Sequence, residues 1–293
     1  MDTTVNTPLR RPSWLKIKLN TSDDFQATKD IIDKQMLNTV CVEAKCPNIY
    51  ECWDRKTATI MILGDTCTRS CGFCSVKTGK PPFTDMLEPK RVSEAVKKMN
   101  LKHVVLTSVD RDDLKNDYGA SIWSKTIEMI HNDVKDCSVE VLTPDFRGHK
   151  PSILKVFKAK PEIFSHNVEC VKRISKKVRA QSNWNRTLDV LKMSVDYGLL
   201  TKTGMMVGLG ERDEEVYNTM EEISSIGVSI FNIGQYLQPT KNHLPVNRFV
   251  HPDQFKKYKE YGLELGFKVV ESAPLVRSSY HADEQVKLYD SSI

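Results

Sequence analysis

Six of the eight cysteines lie between Cys41 and Cys74, and their spacing sorts them into two triplets. The second triplet is Cys67-Thr-Arg-Ser-Cys71-Gly-Phe-Cys74. Three thiolates on one short loop can hold three corners of a four-iron cluster. The fourth iron is then left without a protein ligand, an open position that suits catalysis rather than electron storage. A ribbon-type zinc site would bring a further cysteine close by, whereas the next one after Cys74 is Cys137. The first triplet is Cys41, Cys46 and Cys52, with Glu43, Lys45, Asn48 and Glu51 among them, a stretch too polar for apolar core. It too implies a cluster short of one ligand. Cys137 and Cys170 lie far off in sequence, which leaves a non-cysteine ligand open.

These loops need a scaffold, and the rest of the chain reads as one. Short β-type runs at 59–63, 103–107, 139–143, 163–166, 204–207 and 230–234 alternate with helical patterns at 92–99, 122–131, 152–157, 186–197, 214–226 and 252–265. Six βα units around a parallel sheet are predicted, with the second triplet directly after the first strand, where barrel folds place functional loops. Asp213 is the expected N-cap of the fifth helix, Pro252 opens the last, and Gly266 ends it. A further strand is expected at 267–270, followed by a tail without helical period. The division expected is an N-terminal extension (1–57), a barrel (58–266) and a C-terminal segment (267–293).

Composition is that of an ordinary globular protein: 28% charged residues, 40% apolar, 13 Gly and 13 Pro. The formal charge of +5 is unevenly spread, because residues 147–179 hold ten Lys or Arg against Glu162 and Glu169. That net +8 reads either as solvated helix faces or as a docking site for an acidic partner. Residues 1–20 carry no apolar leader, and the longest uncharged run, 223–240, is too polar to span a bilayer. A cytoplasmic monomer with no membrane or nucleic-acid partner is expected. In such a reducing compartment, eight cysteines point to metal or redox chemistry rather than disulfides.

C-x3-C-x2-C with an aromatic, Phe73, before the last cysteine resembles the radical S-adenosylmethionine superfamily. The resemblance implies a partial (β/α)6 TIM-type barrel, in agreement with the six units counted from periodicity. It also implies that the open iron chelates the methionine amino and carboxylate groups, and that electron transfer releases a 5′-deoxyadenosyl radical able to take hydrogen from unactivated carbon. C-x4-C-x5-C, fourteen residues upstream, is similar to the lipoyl synthase family, and so are segments along nearly the whole chain. Among them are Trp14-Leu15-Lys16, Cys46-Pro-Asn, Glu51-Cys52-Trp53, Thr107-Ser-Val-Asp-Arg-Asp-Asp113, Pro144-Asp-Phe146, Met206-Val-Gly-Leu-Gly210, Gln235-Tyr-Leu-Gln-Pro239, His243-Leu-Pro245 and Leu275-Val-Arg-Ser-Ser-Tyr-His-Ala282.

The likeness to lipoyl synthases implies two 4Fe-4S clusters, S-adenosylmethionine, a low-potential electron donor, and insertion of sulfur at carbons 6 and 8 of an octanoyl chain on a carrier-protein lysine. The auxiliary cluster would supply the sulfur and take Ser279 as its fourth ligand, with Ser278 the neighbouring alternative. A serine oxygen is harder than a thiolate and a less secure match to iron–sulfur, so its release is the catalytic role expected of Ser279. By the same resemblance, Thr107 and Ser108 would meet the methionine amino group, and Asn167 and Glu169 the ribose. Gly204, Gly208 and Gly210 would let backbone approach the adenine or simply make turns. Arg277 would serve the substrate, the terminal motif or a surface ion pair, and His243 and His281 local hydrogen bonds or ligand. Cys170, Trp184, Thr203 and Ala273 depart from the usual family residues, and none is a cluster ligand. Another dual-cluster radical enzyme, such as a methylthiolating one, and a non-enzymatic iron–sulfur or zinc module are the competing readings.

Overall fold

The computed structural model describes residues 10–16, 22–43, 46, 48–54, 59–279 and 282–285. Its organising element is a parallel sheet: β1 (Thr59–Ile62), β2 (His103–Ser108), β3 (Ser138–Leu142), β4 (Ile163–Ser165), β5 (Leu200–Val207) and β6 (Ile230–Gln235). They pair in sequence order, with β7 (Val269–Ser272) added parallel to β6 and Asn38–Thr39 antiparallel to β1, so the sheet curves as an open barrel. Register aligns Met61, Thr107, Leu142, Ser165, Lys202 and Ile230 on one level.

Because side chains alternate across a strand, each strand divides between two environments. Ile60, Ile62, Val104, Leu106, Val139 and Val141 pack against α1 (Glu88–Lys98), α2 (Ala120–Asp133) and α3 (Lys150–Lys158) in one apolar core that also holds Trp123 and Cys137. Val207, Phe231 and Ile233 join α4 (Lys172–Val178), α5 (Trp184–Asp196), α6 (Asp213–Ile226) and α7 (Pro252–Glu264) in a second, which buries Cys170. The other face, turned into the barrel, is partly polar: Thr59, His103, Thr107, Glu140, Ser165, Lys202 and Asn232 are all buried.

That polar interior explains the largest departure from expectation. β5 begins at Leu200 rather than 204, since Lys202, fully buried, is neutralised by Glu140 at 3.0 Å instead of marking a loop. Helix α1 starts four residues early because Glu88 receives the Leu63 and Gly64 amides at 2.7 and 3.3 Å, tying the helix to the end of β1. Asp213 is the first residue of α6 and not its cap; Arg212 holds that position, and the Asp213 carboxylate accepts from Arg248 and Tyr258, each at 2.5 Å. The strand expected at 267–270 lies at Val269–Ser272, because Phe267 packs on Phe231 with ring centroids 5.3 Å apart. Helices Asp23–Lys34, α4 and Ala282–Gln285 were not expected. Pro252 and Gly266 bound α7 as their backbone preferences require, Gly266 at φ +93°. Among the described residues no helix is long and apolar enough to cross a membrane.

Candidate active site

The C-terminal strand ends open into a cavity of about 530 Å³. Cys41, Cys46, Cys52, Cys67, Cys71 and Cys74 line it, as do Phe73, Thr107, Ser108, Asn167, Glu169 and Ser279. Every cysteine of both triplets thus shares one space with the candidate cofactor-contacting residues and Ser279.

The loop bearing Cys67, Cys71 and Cys74 is held from four sides. Thr68 N–H donates to the Asp110 carbonyl at 3.0 Å, Gly72 N–H to the Val178 carbonyl at 2.9 Å, and Leu244 N–H to the Gly72 carbonyl at 2.9 Å. His243 Nε2 donates to the Cys74 carbonyl at 2.9 Å while Nδ1 meets the Thr240 hydroxyl at 2.8 Å, so this histidine braces the loop. The strongest anchor is Arg69, 4% exposed. Its Nε and Nη2 donate to Asp112 at 2.8 Å, Nη2 also reaches Asp145 at 2.7 Å, and Nη1 lies 3.2 Å from Asp110. Asp145 is fully buried and takes a second cation, Arg186, at 2.6 Å. Burial would raise the Asp145 carboxyl, but these two guanidiniums hold it well below the usual carboxylate range. The Asp110 amide points at Cys67 Sγ from 3.3 Å and the Arg69 amide from 3.4 Å, the kind of donors that stabilise a thiolate sulfur.

The first triplet is positioned by the opposite end of the chain. Cys46 N–H donates to the Cys41 carbonyl at 3.0 Å and Cys52 N–H to the Asn48 carbonyl at 2.9 Å, folding the segment into a compact loop. Asn48 Nδ2 donates to the Leu275 carbonyl at 2.7 Å, pinning the tail over this loop. The tail also crosses β6 so closely that a Cβ on Gly234 would lie 2.1 Å from the Val276 carbonyl oxygen, which only glycine permits. The adjacent serines then diverge. Ser279 Oγ accepts from the Thr59 hydroxyl at 2.7 Å, and the Thr59 amide faces the Cys41 thiol, so Ser279 joins the first triplet through one residue. Ser278 Oγ accepts from Asn167 Nδ2 at 2.7 Å, on the side of the second triplet. Arg277 lines the cavity beside Cys46, away from any surface ion pair, and its burial lowers its pKa. His281 lies outside the described residues.

Between the triplets, Thr107 Oγ1 donates to the Leu142 carbonyl at 3.0 Å and Ser108 Oγ to the Val109 carbonyl at 2.8 Å, so both hydroxyls face the cavity as acceptors. Asn167 Nδ2 also donates to Glu169 Oε1 at 3.2 Å. Glu169 sits at φ +67°, held there by its amide on the Gly204 carbonyl (3.0 Å) and its carbonyl under the Met206 amide (2.8 Å). A glutamate kept in the left-handed region costs about 1 kcal/mol or more, strain of the kind that gathers at functional sites. Gly204 lines the cavity, whereas Gly208 and Gly210, at φ +98° and +107°, make turns away from it. Three residues not singled out from the sequence complete the wall: Arg179, which donates to the Asn167 carbonyl at 3.0 Å and faces Glu169 and Cys71, together with Asp110 and His166. Arg179 ends the basic stretch, a signal available in the sequence. The rest of that stretch divides, with Arg173 paired to Glu215 at 2.6 Å and Lys155 to Asp117 at 3.4 Å, while Lys172, Lys176 and Lys177 of α4 stay exposed.

The donor set fits iron–sulfur clusters. Burial pushes the Cys41 and Cys67 thiols up to about 11 and the Cys71 thiol up to about 12, and raises Cys46 and Cys74 as well. Thiolates in this cavity therefore require an adjacent cation, which a cluster iron provides.

The profile of the Radical SAM superfamily matches residues 61–223. A lipoyl synthase of Rubrobacter xylanophilus is 52% identical over 279 residues, covering 94% of this chain and 87% of that protein. A lipoyl synthase of Flavobacterium johnsoniae is 49% identical over 288 residues, covering 98% and 100%. The crystal structure of methylornithine synthase shares the fold at a TM-score of 0.55 with 14% identity, over 72% of this chain and 63% of that one. Matches of this identity across nearly the full length place the chain in the lipoyl synthase family, within the radical SAM superfamily.

Proposed function

We propose that the chain performs the lipoyl synthase reaction, inserting two sulfur atoms at carbons 6 and 8 of a protein-bound N6-octanoyl-lysine, with one cluster on each cysteine triplet. The observation that carries this reading is the convergence of both triplets and the terminal serine on one cavity. As a family member the chain is an enzyme, a sulfur-inserting transferase whose substrate is an octanoylated lipoyl-carrier protein.

Cys67, Cys71 and Cys74 hold the cluster with the open iron. Its fit is supported by the amides aimed at Cys67 and by the Arg69 anchor. When bound, this cluster and S-adenosylmethionine supply one-electron chemistry, which an alkyl C–H without acidity requires. Phe73, Thr107, Ser108, Asn167 and Glu169 orient the S-adenosylmethionine from the cavity wall. Cys41, Cys46, Cys52 and Ser279 hold the auxiliary cluster, the sulfur donor. Ser279 is favoured over Ser278 because it reaches Cys41 through Thr59, while Ser278 is engaged by Asn167. The tail lies against this side of the cavity, pinned by Asn48 and by the Gly234 crossing.

The same proposal includes a low-potential electron donor, a monomer in the cytoplasm without membrane or nucleic-acid partner, and the division into residues 1–57, 58–266 and 267–293. Exposed Lys172, Lys176 and Lys177 offer complementary charge to an acidic carrier domain. Activity on the whole carrier should then fall with salt while activity on an octanoylated short peptide stays level; equal salt dependence refutes the docking role. Iron and sulfide analysis tests the cluster assignment. About eight irons per chain are expected after anaerobic reconstitution, and about four in the triple Cys→Ala variant of either triplet. Four irons in the unmodified chain would refute a second cluster.

A further inference from the structure

Arg277 stands where the C-terminal tail crosses the end of β6. Asn232 Nδ2 donates to the Arg277 and Ser278 carbonyls at 3.3 and 3.1 Å, and the Gln235 amide to the Pro274 carbonyl at 3.2 Å, so the strand fixes the backbone here. Nη1 donates to the Val276 carbonyl at 2.6 Å and would lie 3.2 Å from a Cβ on Gly234, which places the guanidinium over β6. The side chain is only partly buried, and it lines the cavity. Apart from that bond to Val276, its N–H donors meet no protein acceptor among the described residues.

The charge is as little matched as the donors. Arg69 meets three carboxylates and Arg179 faces Glu169, whereas among the described residues the acidic group facing Arg277 is the Cys46 thiol. A cation drawn out of bulk water needs an anion close by to offset its lost hydration. The octanoyl-lysine amide is neutral, and under the proposed function the carboxylate of S-adenosylmethionine goes to the open iron at the other triplet. A cluster on Cys41, Cys46, Cys52 and Ser279 takes net negative charge from its anionic ligands, and its sulfurs accept hydrogen bonds. Donors and charges of this kind are the protein's levers on a cluster's reduction potential.

We propose that Arg277 is a positioning residue of the auxiliary cluster: from the Cys46 side its guanidinium donates to the cluster's sulfurs and, as a fixed counter-charge, raises the reduction potential. This rests on the reading that the first triplet holds a cluster, and it gives the tail a role beyond supplying Ser279. The direction suits a sulfur donor. When a substrate carbon radical bonds to a sulfide, the bonding pair is made from the radical's electron and one electron of a sulfide lone pair. The second electron of that lone pair reduces a ferric ion to ferrous, and the sulfur is left as a thiolate. A neighbouring positive charge favours the ferrous state.

The test is a potentiometric titration of the anaerobic, cluster-loaded full chain, read by electron paramagnetic resonance, for the unmodified protein, Arg277→Gln and Arg277→Lys, with iron content checked for each. S-adenosylmethionine, a ligand of the open iron, shifts the signal of one cluster, and the signal it leaves unshifted reports the auxiliary one. Arg277→Gln keeps N–H donors without the charge. It should leave the auxiliary cluster about tenfold less reduced at a fixed potential, a drop of about 59 mV for one electron. Arg277→Lys should recover most of that drop, and the other cluster should keep its potential throughout. The inference is overturned if the auxiliary potential is the same in all three proteins, or if both clusters shift alike, the mark of a general loosening. Should Arg277→Gln lose the auxiliary irons, Arg277→Lys decides. A retained cluster near the unmodified potential supports the counter-charge, whereas loss of the same irons or an equally lowered potential overturns it in favour of tail packing. An unmodified chain that takes up only about four irons would instead defeat the underlying reading of a second cluster.

Discussion

Replacing Arg69 by Met keeps most of the side-chain stem and removes the guanidinium that joins three carboxylates. In the intact protein the group is 3% exposed, with Asp112 at 2.8 Å, Asp145 at 2.7 Å and Asp110 at 3.2 Å. Breaking a buried ion pair by deleting one partner costs ~3–5 kcal/mol, because the remaining charge is stranded. Two features reduce that here. The Asp110 and Asp112 side chains are 22% and 21% exposed, and Asp145 keeps Arg186 at 2.6 Å. The expected loss is therefore about 2–3 kcal/mol, below the range for a fully stranded charge. Urea unfolding of the metal-free protein at pH 7 should show a lower midpoint with unchanged slope. Anaerobic reconstitution should recover about half the iron, since the loop of Cys67, Cys71 and Cys74 loses its anchor while the first triplet does not. Asp145→Asn in the same background should add less than it costs alone, because the two groups share one interaction. An Arg69→Met protein with the unmodified urea midpoint and full iron would refute this anchoring role.

Four further outcomes follow from the same geometry. Ser279→Cys should retain both clusters by iron content and absorbance and lose sulfur insertion; a fully active variant would remove the lability role of the serine. Gly234→Val should displace the tail, because the added Cβ meets the Val276 carbonyl at 2.1 Å, and should deplete the auxiliary cluster while leaving the other in place, as iron analysis and electron paramagnetic resonance would show. Asn48→Ala, which removes the 2.7 Å hydrogen bond to Leu275, should cost about 1–2 kcal/mol and give the same selective depletion more weakly. Stability should also fall with acidity through His166, measured on the metal-free chain. Its folded-state pKa is pushed down to about 4 by burial, with Arg179 and Arg69 adding to the effect, so the unfolded chain takes up the proton first. The contribution is fully present above the ordinary histidine value, is lost as pH falls from about 6.5 to about 4, and amounts to about 3 kcal/mol. His166→Gln should flatten that part of the stability profile; an unchanged slope would contradict it.

Cysteine spacing announced the chemistry because metal ligands are set by residue type and short-range separation, which a sequence displays directly. The six βα units were legible for a similar reason: runs such as 103–107 and 230–234 alternate with amphipathic helices, and a parallel sheet follows. Boundaries failed where a polar side chain turned inward. Lys202 hid the first half of β5 because its neutralising partner Glu140 lies 62 residues away. Asp213 resembled a cap because its real partners, Arg248 and Tyr258, are likewise distant in sequence. The Arg69 anchor has no local pattern at all, and Arg179 shows in the sequence only as the end of a basic run, since the role of each depends on loops from different strands meeting at one end of the barrel. The two serines show the same limit at smaller scale. Sequence resemblance put Ser279 first with Ser278 as the alternative, and the directions of Ser279 toward Thr59 and Ser278 toward Asn167 agree with that order.

The most direct test is an anaerobic reaction of the reconstituted chain with an octanoyl-lysyl peptide and S-adenosylmethionine under a low-potential reductant, followed by mass analysis. The account predicts a peptide carrying two added sulfur atoms, with two molecules of 5′-deoxyadenosine formed per product. Cleavage of S-adenosylmethionine by a chain holding both clusters, with no sulfur gained by the peptide, would contradict it.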